Sequence, residues 1–310
     1  KNGYGLNHPN TIHLLVNISL MYNELSNPKK AAEFINQIFS PYSKILLNSL
    51  DYLTGDEITL LSVKEYNSRI YPLSFLQNYP IQYSKINIGC YENELILKNI
   101  SLHNQQRIKN SIEKSNDVGL KEKYFQFTEN KKRVAKLQEL PIKDRPANHE
   151  QLILETENLE KDLTRLSSSF ADVKKTLSIT WKQIQEKLKA DEVAIDLVTF
   201  NYYNKKWTDS IVYGAFIIKK DSKFPKYISM FEEKQLEFLL HKNKGANESD
   251  LINKQYSTKS ISDLFLKPLE SDLKGVKTIY LSPSGLSHQI DFNALQLTET
   301  KTFGESYNIH

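Results

Sequence analysis

The chain has 310 residues, room for two ordinary domains, with 39% hydrophobic and 25% charged residues and only 10 Gly and 10 Pro, which excludes collagen-like and low-complexity chains. Its 41 Lys and Arg against 37 Asp and Glu give a net charge of +4, scattered along the sequence, so no nucleic-acid or anionic-membrane partner is expected. The single cysteine, Cys90, excludes an internal disulfide and any zinc site of paired CxxC motifs and fits a reducing, cytoplasmic setting, and no apolar run is long enough to predict a membrane span.

Within residues 13–42, Ile18, Tyr22, Ala31, Ile35 and Ile38 are spaced by 4, 9, 4 and 3, which predicts a helical hairpin. The small Ala31 lets two antiparallel helices approach, Tyr22 fills the space between them, and Asn27-Pro28 marks the turn. Any amphipathic helix pair shares part of this pattern. Residues 43–140 continue helical, with Ile58, Leu61, Tyr66 and Ile70 in one stretch, Leu95, Ile96, Ile100 and Ile108 in another, and breaks expected near Pro72 and Pro80. From Leu152 the seam becomes nearly strict: Leu152, Leu159, Leu163, Leu166, Phe170, Val173 and Leu177, with Thr156 in the one gap. The preceding helix offers Tyr124, Phe127, Val134 and Leu137, which predicts an antiparallel hairpin turned by residues 141–146. Such a hairpin is a rigid spacer, a transmitting lever or ordinary packing.

At Thr180 the texture changes. Thr180 and Gln183 predict a capping box opening a short helix to Leu188, after which strands take over at 193–200, 211–218 and 227–231. The stretch 201–209 reads as the loop between the first two strands. Helices are predicted at 232–241 and 260–273, separated by a polar, loop-like 242–258, and a buried strand at 276–281 ends in the turn Ser282-Pro283-Ser284-Gly285. This order argues α/β or α+β for residues 180–310.

The motifs of nucleotide binding are missing: no GxGxxG follows a strand and no GxxxxGK[ST] occurs. His8, His13, His103, His149, His241, His288 and His310 show no metal-ligand pairing, so neither metal nor cofactor is expected. A nucleophilic Cys90 would need a nearby base and a cationic setting, but Glu92 and Glu94 flank it, and the expectation is a packing cysteine. Ser282 and Ser284, with His288 four residues beyond Ser284, read as turn chemistry, because a nucleophile elbow needs GxSxG. Asp196 and Asp291 are single carboxylates with no partner visible in the sequence. Lys131-Lys132-Arg133 and Lys205-Lys206-Trp207 read as solvated faces.

The segment Tyr280-Leu-Ser-Pro-Ser-Gly-Leu-Ser-His-Gln-Ile-Asp-Phe-Asn-Ala-Leu295 resembles the strand, turn and Phe-x-Ala-Leu portion of CHAT domains, the caspase-like domains associated with tetratricopeptide repeats. Supporting pieces come in the family's order: Ser178-Ile-Thr-Trp181 with Ile184, Gln185 and Leu188; Glu192-Val-Ala-Ile-Asp196; Tyr213-Gly-Ala215; and Glu305-Ser-Tyr-Asn-Ile309. The middle matches loosely, by the Cys90 to Lys98 segment. Upstream, the hairpin offsets with the lead-in Gly5-Leu-Asn-His-Pro9 resemble one tetratricopeptide repeat. Three regions are expected: a repeat-like hairpin at 1–42, a helical spacer with a coiled-coil-like hairpin at 43–178, and the N-terminal part of a CHAT domain at 179–310, an incomplete α/β caspase-like portion. A lone repeat and the absence of an initiator Met give the expectation of a piece of a longer chain.

The resemblance implies a clan CD cysteine peptidase of bacterial type whose dyad His and Cys lie in segments beyond a strand at 305–309. Neither Cys90 nor His288 matches a dyad position, and His310 falls where the family has a strand, so no catalytic residue is assigned. The expected function is regulatory and scaffolding, with a protein or peptide partner on the helical region and the rest of the CHAT domain as a second partner. The alternative is a non-enzymatic scaffold or pseudoprotease that binds a peptide.

Overall fold

The computed structural model describes residues 8–49, 66–138, 144–166, 179–241 and 259–310. They belong to two compact units that interleave along the chain. One comprises Asn10–Phe39, Asn67–Glu94 and Thr180–His310, the other Lys1–Pro9, Ser40–Tyr66 and Leu95–Ile179.

The first unit begins with α1 (Pro9–Glu24) and α2 (Pro28–Ile35). Asn27 caps α2, its side chain accepting from the Lys30 amide at 3.2 Å, and Pro28 sits where a missing N–H does no harm. Tyr22 stacks on Phe34 with centroids 5.5 Å apart, and Ala31, Ala32, Ile35 and Ile38 are buried. On α1 the buried stripe is Ile12, Leu15, Val16 and Ser19, whereas Ile18 is only half-buried. Apolar residues also stand on its exposed side, Leu14 and Met21 among them, so spacing alone does not select the inner face. The lead-in residues 5–7 lie outside the described residues.

Along the chain there follow α3 (Phe39–Ser49), nearly all of it in the second unit, α4 (Tyr66–Asn78) of the first unit, and α5 (Ser84–Lys114), which passes from the first unit to the second at Glu94. Pro72 does not break α4, contrary to expectation: Tyr71, Leu73, Phe75 and Leu76 are buried around it, and that burial outweighs the lost local hydrogen bond. Pro80 does fall between helices. Ile58 and Leu61 lie outside the described residues, as does the segment 242–258.

The short helix α8 (Trp181–Lys187) opens with the predicted capping box of Thr180 and Gln183. Strands β1 (Glu192–Tyr203), β2 (Trp207–Lys219), β3 (Lys226–Glu232), β4 (Thr278–Ser282) and β5 (Asn308–Ile309) form a mixed sheet of order β3-β2-β1-β4-β5. The pairs β1–β2 and β2–β3 are antiparallel, and β4 runs parallel to both β1 and β5. Between β3 and β4 lie α9 (Glu233–His241) and α10 (Lys259–Leu266). The predicted helix at 260–273 ends at Leu266 and gives way to a 3-10 turn with Pro268 in its first turn.

Two further expectations are corrected. The loop at 201–209 shrinks to a turn, because Tyr203 pairs with Trp207 and the aromatic residues extend the ladder. The closing strand at 305–309 is only Asn308–Ile309, since Thr302 and Glu305 form a capping box that folds Phe303–Ser306 into the short helix α11.

One face of the sheet, with Val193, Ile195, Leu197, Tyr213, Ala215, Ile217 and Ile279, packs under α9, α10 and the last segment through Leu236, Ile261, Phe265, Leu295 and Phe303. The alternate residues face α4 and the first part of α5. Tyr91 meets Phe216 edge-on at 5.5 Å, and Phe216 meets Tyr227 at 5.4 Å. Tyr71 meets Tyr203 at 5.7 Å. The first unit is therefore an α/β arrangement with helices on both faces.

In the second unit, α6 (Val118–Gln138) and α7 (His149–Leu166) form the predicted antiparallel hairpin. Leu120 and Phe127 pack around Leu163, and Lys123 pairs with Asp162 at 2.9 Å. Thr156 sits buried in the seam, its Oγ1 donating to the Leu152 carbonyl at 2.6 Å. The seam positions Phe170, Val173 and Leu177 lie outside the described residues. Among the described residues no helix is long and apolar enough to cross a membrane.

Candidate functional site

Open α/β sheets present their sites at the carboxyl ends of parallel strands. Here β4 ends at Ser282 opposite Asp196, while β1 runs on to Tyr203, so the turn after β4 lies against the outer half of β1. Ser284 and Ser287 cap the 3-10 turn Gly285–Gln289: the Ser284 amide donates to Ser287 Oγ at 2.8 Å, and Ser287 Oγ donates to the Ser284 carbonyl at 2.6 Å. Ser284 Oγ lies 3.2 Å from Thr199 Oγ1, so the structure joins this serine to Thr199 of β1.

Gly285 is required twice over. Its φ of +55° is in the left-handed region, and a Cβ there would stand 2.7 Å from the Tyr213 hydroxyl and 3.1 Å from Thr199 Cγ2. Tyr213 is fully buried, stacked on Phe231 at 4.7 Å. Its hydroxyl faces the Glu233 carboxylate and the amides of Leu286 and Ser287, without ideal hydrogen-bond geometry to any of them. Burial pushes the Tyr213 phenol up, with the Glu233 charge adding to it. Burial likewise raises Glu233, opposed by its contact with Tyr213.

A second polar group lies on the opposite sheet face. Asp196 accepts a hydrogen bond from Tyr91 at 2.8 Å, both residues being buried. Burial and the Asp196 charge raise the Tyr91 phenol far above its ordinary value. Next to it, Glu92 accepts from the Trp181 amide at 3.3 Å, and burial raises its carboxyl. Glu94 accepts from Arg69 Nε at 2.6 Å and from Arg69 Nη2 at 2.8 Å.

Cys90 sits between these groups, 3% exposed, inside α5. Burial pushes its thiol well up, the Glu94 charge adds, and Arg69 opposes them. A protonated, enclosed thiol is a packing group with no nucleophilic character.

The remaining sequence candidates stay apart. Asp291 caps the turn Phe292–Ala294, accepting from the Asn293 amide at 3.0 Å. His310 stacks on Tyr280 at 5.4 Å. Lys132 pairs with Glu129 at 2.8 Å, and Lys131 lies over the Phe127 ring. Among the described residues no cluster of three or more His, Cys, Asp or Glu could hold a metal ion. The side chains of His103 and His241 are outside the described residues.

Sequence reasoning overlooked Thr199, Tyr213, Glu233 and the Tyr91–Asp196 pair. Only the glycine after Pro283-Ser284 signalled a close approach at this turn, and nothing local named Tyr213 as the atom approached. No family model matches the chain, and no curated protein or solved structure matches it either.

Proposed function

We propose that the chain is a regulatory and scaffolding part of a CHAT-type, caspase-like cysteine endopeptidase, carrying no peptidase chemistry of its own. In this reading α1 and α2 are a repeat-like hairpin, α6 and α7 a spacer, and β1–β5 the opening strands of the caspase-like domain. The observation that supports it most is the state of Cys90: the one cysteine of the chain is enclosed and its thiol is held protonated. Cysteine peptidase chemistry needs a thiolate with a base in hydrogen-bond reach and donors for the oxyanion. The expected result is no turnover when the purified 310-residue chain meets peptide libraries. Turnover that disappears in Cys90→Ala overturns the reading.

A second reading, a non-enzymatic scaffold that binds a peptide, is favoured by the exposed apolar side chains of the first hairpin, Leu14, Met21 and Leu25. Coding sequence beyond residue 310 separates the two. A His-Gly after one strand and a Cys after another favours the peptidase parent, and their absence favours the scaffold.

A further inference from the structure

Along α7, His149, Thr156 and Leu163 recur every seven residues and are all buried, so the stripe that is apolar at the far end of the α6–α7 hairpin becomes polar toward the turn. The seam changes with it. Leu120 and Phe127 pack around Leu163 at the far end, whereas near the turn a cleft of about 470 Å³ opens, walled by Arg133 and Lys136 of α6 and by Gln151 and Glu155 of α7. Leu137 and Leu152 give it an apolar surface.

The charges around this cleft are not matched by the chain. Among the described residues neither Arg133 nor Lys136 has a carboxylate within ion-pair distance, and Glu129, whose charge both feel at longer range, is taken by Lys132 at 2.8 Å. Glu155, on the opposite wall, accepts from the Gln151 amide at 3.0 Å. His149, which stands in the chain between the lining residues Asn148 and Gln151, is 8% exposed, and among the described residues its Nε2 has no hydrogen-bond partner. A buried orphan of this kind marks a partner that the chain does not supply. The helix dipole accounts for Lys136 in the last turn of α6, but not for Arg133 a turn earlier or for the orphaned imidazole.

A ligand here must answer both signs. A simple anion or a phosphate sets its charge against Glu155 and a simple cation meets Arg133 and Lys136, whereas a zwitterion with an apolar body suits both walls and the leucines between them. The volume lies within the range of about 300–1,000 Å³ usual for small-molecule sites. We propose that the turn end of the hairpin binds a free α-amino acid with an apolar side chain. Its carboxylate lies on Arg133 and Lys136, its ammonium on Glu155, and its side chain against Leu137 and Leu152. The proposal goes beyond the peptidase reading and does not depend on it.

The test is calorimetric titration of the full chain with L-leucine, N-acetyl-L-leucine and L-leucinamide, together with amide hydrogen exchange. Leucine is expected to bind and to slow exchange in α6 and α7 while β1 and β2 stay as they were. Acetylation removes the ammonium and amidation the carboxylate, and each is expected to weaken binding at least about tenfold. The double variant Arg133→Gln, Lys136→Gln and the single variant Glu155→Gln are expected to lose leucine to the same degree. All three side chains are exposed, so an unchanged melting temperature shows that the variants stay folded. Absence of binding by leucine, isoleucine, methionine and phenylalanine overturns the inference. Equal binding of N-acetyl-L-leucine also overturns it, because the site then reads a carboxylate alone, as on a peptide end. Leucine binding that survives both variants, or that slows exchange outside α6 and α7, places the ligand elsewhere and overturns it as well.

Discussion

The sheet unit and the α6–α7 hairpin are held together by different amounts of the same forces. The sheet buries aliphatic and aromatic side chains on both faces, with Phe265 contacting Tyr213, Phe231 and Phe292. The hairpin has a small seam, Leu120, Phe127 and Leu163, flanked by Tyr124 and Leu159, and its edges carry exposed residues such as Phe125 and Leu154. Among the described residues the hairpin seam encloses less apolar surface than the sheet, and an element with less burial is expected to open at lower cost.

The largest effects should fall on the sheet. Phe265→Ala is expected to cost about 3–5 kcal/mol, read as a lower unfolding midpoint by tryptophan fluorescence. Leu163→Ala, by contrast, should raise amide exchange in α6 and α7 and leave exchange in β1 and β2 as it was. Equal loss of protection in both regions would mean that the two unfold as one.

Arg69→Ala leaves Glu94, whose side chain is 4% exposed, without its bidentate partner. The expected loss is about 3 kcal/mol in urea denaturation, and replacing both residues together should recover part of it. Tyr91→Phe removes the tyrosine donor to Asp196, for an expected cost of about 1–3 kcal/mol. An unchanged midpoint would show that water or another group replaces the hydroxyl.

A pH series sharpens the contrast further. The Glu233 carboxyl is raised in the folded state by burial, so the folded protein holds that proton more tightly than the unfolded chain. Its contribution favours folding below the ordinary carboxylate range and is lost as pH rises through the raised value. Glu233→Gln should therefore gain on the parent progressively from pH 4 to pH 7, read as urea midpoints. At the small end, Lys123→Ala should change stability by less than about 0.5 kcal/mol, since Lys123 and Asp162 are both well exposed.

Much of this was legible beforehand, and for local reasons. The capping box at Thr180, the Asn27-Pro28 turn and the part of the α6–α7 seam within the described residues, Phe127 against Leu163, depend on residues within a few positions or on a sustained period. The errors have local causes too. At Pro72 and at the aromatic residues 202–207 local propensity points to a break and a loop, and burial and strand pairing override it. The candidate site was harder to read. Thr199, Tyr213, Glu233 and Gly285 come from β1, β2, α9 and the turn after β4, and no periodicity links them.

By itself the sequence determined the kinds of element and most of their limits, because caps, turns and apolar periods are short-range consequences of residue chemistry. The tertiary structure decided which pieces belong together. Helix α4 and the first part of α5 join the sheet unit from more than a hundred residues away, through Ser74 and Tyr203, Gln77 and Tyr227, and Tyr91 and Asp196. Their burial turned Cys90 and Asp196 from open chemical questions into packed, partnered groups. Desolvation and long-range contact set the state of such groups, and neither is encoded in the spacing of neighbouring residues.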